Sequence, residues 1–91
     1  MKAQIAHSCA RTLRRRSDAE IEAAWAAMRA TAAIFGQPHL HSGRGIRRLR
    51  PELYECRSGL GLRLVFEREQ DALVFVFSGS HDEVHDYLRN R

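Results

Sequence analysis

Leu53-Tyr54-Glu55-Cys56-Arg57-Ser58-Gly59-Leu60-Gly61-Leu62-Arg63-Leu64-Val65-Phe66-Glu67, continued by Arg68-Glu69-Gln70-Asp71-Ala72-Leu73-Val74-Phe75-Val76-Phe77-Ser78-Gly79, is the stretch that decides the fold. Three strand patterns lie in it: Leu53–Arg57, Leu62–Glu67 and Leu73–Ser78. Ser58-Gly59-Leu60-Gly61 and Arg68-Glu69-Gln70-Asp71 are hairpin-sized links, so the strands pair antiparallel as a meander. Leu73 to Phe77 is apolar without a break, which suits a strand that is covered on both faces or lies centrally, and so places it in the middle of the core.

On the N-terminal side of the meander, Ser17-Asp18-Ala19-Glu20 has the spacing of a capping box, in which each side chain satisfies a backbone donor at a helix start. Ile21, Trp25, Met28, Ala32 and Phe35 then recur in steps of four and three, the stripe of an amphipathic helix running from Asp18 to Phe35. Trp25 and Phe35 are read as core. Gly36 supplies a left-handed C-terminal turn, and Pro38 prevents continuation. Before this helix come a short, half-polar strand, Ile5–Cys9, and a charged connector, Arg11–Arg16. After it, Gln37–Gly45 has the composition of a loop, and Gly45–Arg50 is a basic segment ending at Pro51. Ser80-His81-Asp82-Glu83 repeats the capping box and opens a short final helix through Leu88. The expected architecture is α+β: an antiparallel meander with the long N-terminal helix on one face, a short C-terminal helix, and the other face open to carry a concave site.

With 91 residues the chain is one domain, residues 1–91. No apolar run approaches the roughly 20 residues of a membrane span, and Met1–Ser8 lacks the apolar stretch of a signal peptide, so the expected place is the cytoplasm. Cys9 and Cys56 are too few for a disulfide scaffold and read as buried or idle thiols. The net charge of +4 and a pI near 9.8 favour a polyanionic partner, nucleic acid or acidic protein. Fourteen of the fifteen basic residues are arginine. That bias suits forked contacts to phosphate or carboxylate, although codon preference accounts for it equally well, so position has to decide.

By position, Arg57 and Arg63 stand at facing ends of adjacent strands across the first hairpin, where two guanidinium groups would clamp a phosphate. Alternation on a half-solvated sheet produces the same spacing. An arginine between Leu62, Leu64 and Phe66 is nevertheless costly without a ligand or a carboxylate partner. His81 and His85, four apart at a helix start, share a face and could exchange protons near neutrality; as solvated histidines beside Asp82 and Asp86 they would do nothing. No metal-ligand spacing is recognised around them, and His39 and His41 read as surface. Arg47, Arg48 and Arg50 form a run able to track a nucleic-acid backbone or to serve as a solvated edge.

Taken together, Leu53–Gly59, Gly61–Phe66 and Val76–His85 resemble the RelE/ParE superfamily of bacterial toxins, and the preceding helix extends that likeness over nearly the whole chain. The resemblance implies the toxin of a type II toxin–antitoxin pair. In the RelE branch this is a ribosome-dependent endoribonuclease that cuts mRNA without metal or cofactor. By position, Arg63 matches the arginine that contacts the scissile phosphate. His81 falls where members carry a basic residue or histidine, and His85 where many carry a catalytic tyrosine. Arg57 would replace one charge of two strand lysines whose positions are held here by Tyr54 and Cys56. The resemblance thus implies Arg63, His81, His85 and Arg57 as the catalytic set, with Arg47, Arg48, Arg50 and Tyr54 on the RNA. It implies two partners, mRNA on the ribosome and a cognate antitoxin forming a hetero-oligomer. The ParE branch, which poisons gyrase by protein contact, and a silent binding module of the same fold are the alternatives.

Overall fold

A computed structural model describes all residues from Met1 to Arg91. A five-stranded mixed sheet is built from β1 (Lys2–Ile5), β2 (Arg47–Arg50), β3 (Leu53–Ser58), β4 (Leu62–Glu69) and β5 (Ala72–Gly79), in the order β1-β5-β4-β3-β2. β2 to β5 are antiparallel neighbours, and β1 closes the far edge by pairing parallel with β5. The expected meander of three strands is thus extended to four by the basic segment, which forms an edge strand. The central strand is β4; β5 lies beside it, with side chains packed on both faces.

The chain enters differently from the expectation. The strand is Lys2–Ile5, not Ile5–Cys9, and His7–Leu13 forms a helix, α1, that takes up part of the supposed connector. The reason is tertiary: Ala6 N–H donates to the Phe75 carbonyl (2.9 Å) and ends the strand. Ser8 Oγ then donates to the Val76 carbonyl (2.6 Å), and the Thr12 and Ser78 hydroxyls bond each other (2.7 Å), holding α1 down on β5.

The long helix α2 runs Asp18–Ile34, with Gly36 in the left-handed region at φ 97° just beyond it. Its buried face is Ala24, Ala27, Met28, Thr31 and Ala32. Trp25, expected in the core, is 40% exposed. The helix rests on the sheet and on Cys9 and Leu13 of α1 through a seam of small side chains. Close approach over alanines leaves no room for an indole, so the helix is turned to put Trp25 at the rim. Gln37–Gly45, expected as loop, contains a short helix α3 (Pro38–His41) and a 3-10 turn (Ser42–Arg44). Gly36 N–H donates to His41 Nε2 (3.1 Å) and the imidazole stacks on Phe35, which ties the segment back to α2.

The main core lies between α1, α2 and the sheet, around Leu64, Phe66, Leu73 and Phe75, with the thiols of Cys9 and Cys56 inside it. Both cysteines are free. Burial, with Cys56 nearby, pushes the Cys9 thiol up to about 12. Burial likewise pushes Cys56 up to about 11, against opposing help from Thr31 and Arg44. Neither is a nucleophile at neutral pH.

The opposite face is only half open. The final helix, α4 (His81–Arg89), lies across it with Val84, Tyr87 and Leu88 against Leu53, Val65 and Phe77. Phe77 and Tyr87 stack at 4.5 Å.

Both capping boxes form. Ser17 N–H donates to Glu20 Oε1 (3.1 Å) and Glu20 N–H to Ser17 Oγ (3.2 Å); the pair Ser80 and Glu83 does the same at 2.8 and 3.2 Å. Arg16 sits between the two helix starts, 3.1 Å from Glu83 and 3.9 Å from Glu20. The Ser17 backbone N–H holds the Glu20 carboxyl below its ordinary range, and the Ser80 backbone N–H does so for Glu83, with help from Arg16 and Arg15. A carboxyl lowered on folding stabilises fully above its unfolded value of about 4.3 and loses that contribution as pH falls through the lowered value. Thermal unfolding between about pH 5 and pH 2 should therefore fall less steeply for the double variant Glu20→Gln, Glu83→Gln, since glutamine keeps an acceptor that does not titrate. Parallel curves for variant and wild type would remove the caps from the acid response.

Candidate functional site

Strand register builds the site. Arg57 on β3 pairs directly with Arg63 on β4, and Arg63 with Gly79 on β5, so one row crosses three strands. On the next row, Glu55 of β3 faces Arg47 of β2. Side chains of odd-numbered residues 55, 57 and 63 share the face that α4 crosses, while Cys56, Leu62 and Leu64 face α2. Because α4 covers only the half above Leu53, Val65 and Phe77, the half above Arg57 and Arg63 stays open.

Gly79 lets the chain turn sharply into α4: a Cβ there would meet the Glu83 Cβ and the Phe77 ring, each at 2.9 Å. Ser80 then caps the helix, which makes His81 its first residue and brings it to the edge of the arginine row. From the other side, the turn Ser42–Arg44 folds over β3. Gly45 at φ 66° lets the backbone pass so close that a Cβ would collide with the Arg57 side chain, and Arg57 donates to the Ser42 carbonyl (3.3 Å).

The result is a cavity of about 350 Å³. Arg47, Glu55, Arg57, Arg63 and His81 line it, together with Ser42, Gly45 and Ile46. Glu55 is 3% exposed, and its carboxylate is held by Arg47 at 3.2 Å. Arg63 has no carboxylate partner, and neither has Arg57. Two guanidinium groups without a carboxylate partner, an imidazole and a buried carboxylate thus line one concave surface. That set can bind a phosphate and move protons beside it.

The structure brings together Arg57, Arg63 and His81 of the sequence-based catalytic set, with Arg47 of the RNA set. It does not bring His85, which lies exposed one turn along α4 and does not line the cavity. Four residues along a helix also means one turn away, and α4 runs off across the sheet. Arg50 donates to the Leu88 carbonyl (2.6 Å) and closes the C-terminus of α4. Arg48 pairs with Tyr54, one residue along from the Arg47–Glu55 pair, so alternation places it on the opposite, α2 face. Tyr54 itself is half-buried against the main core, stacked on Phe66 at 5.7 Å and edge-on to Phe35 at 4.9 Å, on the sheet face opposite the cavity.

Glu55 was not singled out from sequence. The only signal was a charged residue inside an otherwise apolar strand, the same signal that drew attention to Arg63. No group of three or more His, Cys, Asp or Glu side chains converges anywhere in the molecule, and no helix is long and apolar enough to cross a membrane.

No protein-family model matches the sequence. No curated protein matches it either. Solved structures do. A chain of the RelB–RelE antitoxin–toxin complex from Methanococcus jannaschii is similar with a TM-score of 0.68 at 12% identity, over 92% of this chain and 96% of that one. One from the RelBE2 toxin–antitoxin complex of Mycobacterium tuberculosis gives 0.63 at 15% identity, over 88% and 96%. A copper-bound mutant toxin from Helicobacter pylori gives 0.60 at 17% identity, over 92% and 98%. The matches cover 88% to 92% of this chain, in keeping with the resemblance of the sequence, and this chain therefore has the RelE-like toxin fold.

Proposed function

We propose that this protein is the toxin of a type II toxin–antitoxin pair and acts as a ribosome-dependent mRNA endoribonuclease. The observation that carries the reading is the convergence of Arg57, Arg63, Glu55 and His81 on one open cavity of a RelE-like fold. Arg63 and Arg57 would hold the non-bridging oxygens of the scissile phosphate and stabilise the charge that grows there as a fifth oxygen bonds to phosphorus. Two proton transfers remain. Glu55, ion-paired with Arg47, takes the ribose 2′-hydroxyl proton as that oxygen attacks. His81, in its protonated form, gives a proton to the departing 5′-oxygen. The products are a 2′,3′-cyclic phosphate and a 5′-hydroxyl end. His85, outside the cavity, has no part in this sequence.

The similarity to chains solved as antitoxin complexes supports a cognate antitoxin as partner. Its acidic segment would compete with RNA for the same arginines, and the association would weaken with salt.

The test is purified protein added to ribosomes programmed with a defined mRNA, with the 3′ ends of fragments mapped. We expect cuts with cyclic phosphate ends, and a slowing of about a hundredfold in Glu55→Gln. Intact mRNA together with DNA breaks in cells expressing the protein would move the target to gyrase.

A further inference from the structure

Beside the site lies a second hollow, of about 410 Å³, between the Ser42–Arg44 turn and the tip of the β3–β4 hairpin. We propose that it binds a second phosphate of a single-stranded RNA, adjacent to the phosphate held in the site; the proposal rests on the nuclease reading and adds a subsite to it.

Gly43, Arg44, Arg57, Gly59, Leu60 and Arg63 line the hollow. Three of these are guanidinium groups and none is acidic. Elsewhere the arginines in ion pairs are Arg16, Arg47, Arg68, Arg89 and Arg91; these three have no carboxylate partner. Gathering like charges without a counterion costs stability, and a bound anion removes that cost. A second observation points the same way. Arg44 Nε is buried with no hydrogen-bond partner, a donor for which folding supplies no acceptor.

The shape of the hollow selects a chain over an isolated ion. Arg57 and Arg63 line both hollows and form the wall between them, so a ligand on that wall can extend into each. Nothing lies within 4 Å of where a Cβ would stand on Gly43 or Gly59, which leaves the backbone on either side open to an extended strand. Leu60, fully exposed at the hairpin tip, offers an apolar surface to a flanking base. The scissile phosphate would lie on Arg57 and Arg63, and its neighbour on Arg44.

The test uses the full chain and a fluorescein-labelled trinucleotide of 2′-O-methyl RNA, which cannot be cleaved, together with two forms in which one or the other phosphodiester is an uncharged methylphosphonate. Anisotropy titrations over a range of salt give the affinities, and a melting curve verifies that Arg44→Ala is folded. We expect Arg44→Ala to weaken the fully charged probe about tenfold and to lower the salt slope by about one. Neutralising one particular linkage should weaken wild-type binding by a similar factor and abolish the difference between wild type and Arg44→Ala. Equal affinities for the two proteins, or losses that simply multiply for both neutral probes, would overturn the subsite. So would an Arg44 dependence seen with an acidic peptide and not with the trinucleotide, which would assign the hollow to a protein partner. Cleavage of ribosomal mRNA by the wild type reports separately. Cleavage without the Arg44 signature leaves the nuclease and removes the subsite, whereas the signature without cleavage leaves an RNA site and removes the nuclease.

Discussion

Arg63→Ala should reduce mRNA cleavage by about a hundredfold or more, the loss that follows removal of one preorganised donor to a developing negative charge. The expectation rests on where Arg63 stands. It is on the central strand β4, half-buried, paired in register with Arg57, and without any carboxylate that would satisfy it in the absence of a ligand. The two histidines provide the contrast. His81→Ala should cost a factor of about 10² to 10⁴, the range for a lost proton donor. His85→Ala should leave the rate within about twofold, as ordinary surface changes do. Growth of induced cultures gives a first reading, and single-turnover cleavage on ribosomes the rates. A variant lacking His85 that is as inactive as one lacking His81 would mean that α4 presents a different face to RNA, and the roles given to Glu55 and His81 would fall with it.

The largest effect on stability is expected from Phe66→Ala, at about 3 to 5 kcal/mol. Phe66 is fully buried on the central strand, stacked with Tyr54, edge-on to Phe35 and 5.0 Å from Phe75. Its ring joins β3, β4, β5 and the end of α2, and no exposed side chain stands ready to fill the void. In a domain whose total stability is about 5 to 15 kcal/mol, such a loss lowers the melting temperature by about 12 °C or more. Urea unfolding should show the midpoint shift with little change of slope. Trp25→Ala, a deletion of larger volume at the rim of α2, should cost distinctly less. The reverse order would mean that α2 is turned toward the sheet through the Trp25 face, as its heptad-like spacing alone suggests.

The rotation of α2 about its axis is not encoded in its periodicity. Ile21, Trp25, Met28, Ala32 and Phe35 fit a helical period as well as Ala24, Ala27, Met28, Thr31 and Ala32 do. Periodicity establishes a helix and narrows its buried face only to within one residue of rotation; the distance to the sheet selects between the two stripes. The same limit operates in the site. Capping boxes at Ser17 and Ser80 were legible because they are local, each within four consecutive residues. The pairing of Arg57 with Arg63 was legible because a short hairpin fixes register. The presence of Glu55 and His81 in one cavity was not, since β3, β4 and the start of α4 together bring them there.

Local pattern by itself determined the meander, the long capped helix, the final capped helix and the arginine pair, because each depends on residues a few positions apart. The tertiary structure decided which face each apolar residue serves. The clearest case is β5, where the register shifts between Val65 and Phe66 so that Phe77 opposes Val65 and Phe75 opposes Phe66. Simple alternation would put Leu73, Phe75 and Phe77 on one face. The extra residue, Val76, sends Phe77 to the other side instead, where it stacks on Tyr87 and anchors α4. That anchor covers one half of the sheet and leaves the half bearing Arg57 and Arg63 exposed. A bulge has no local signature in an unbroken apolar run, since it is set by how two strands and two faces pack at once, and it is this packing that makes the open cavity.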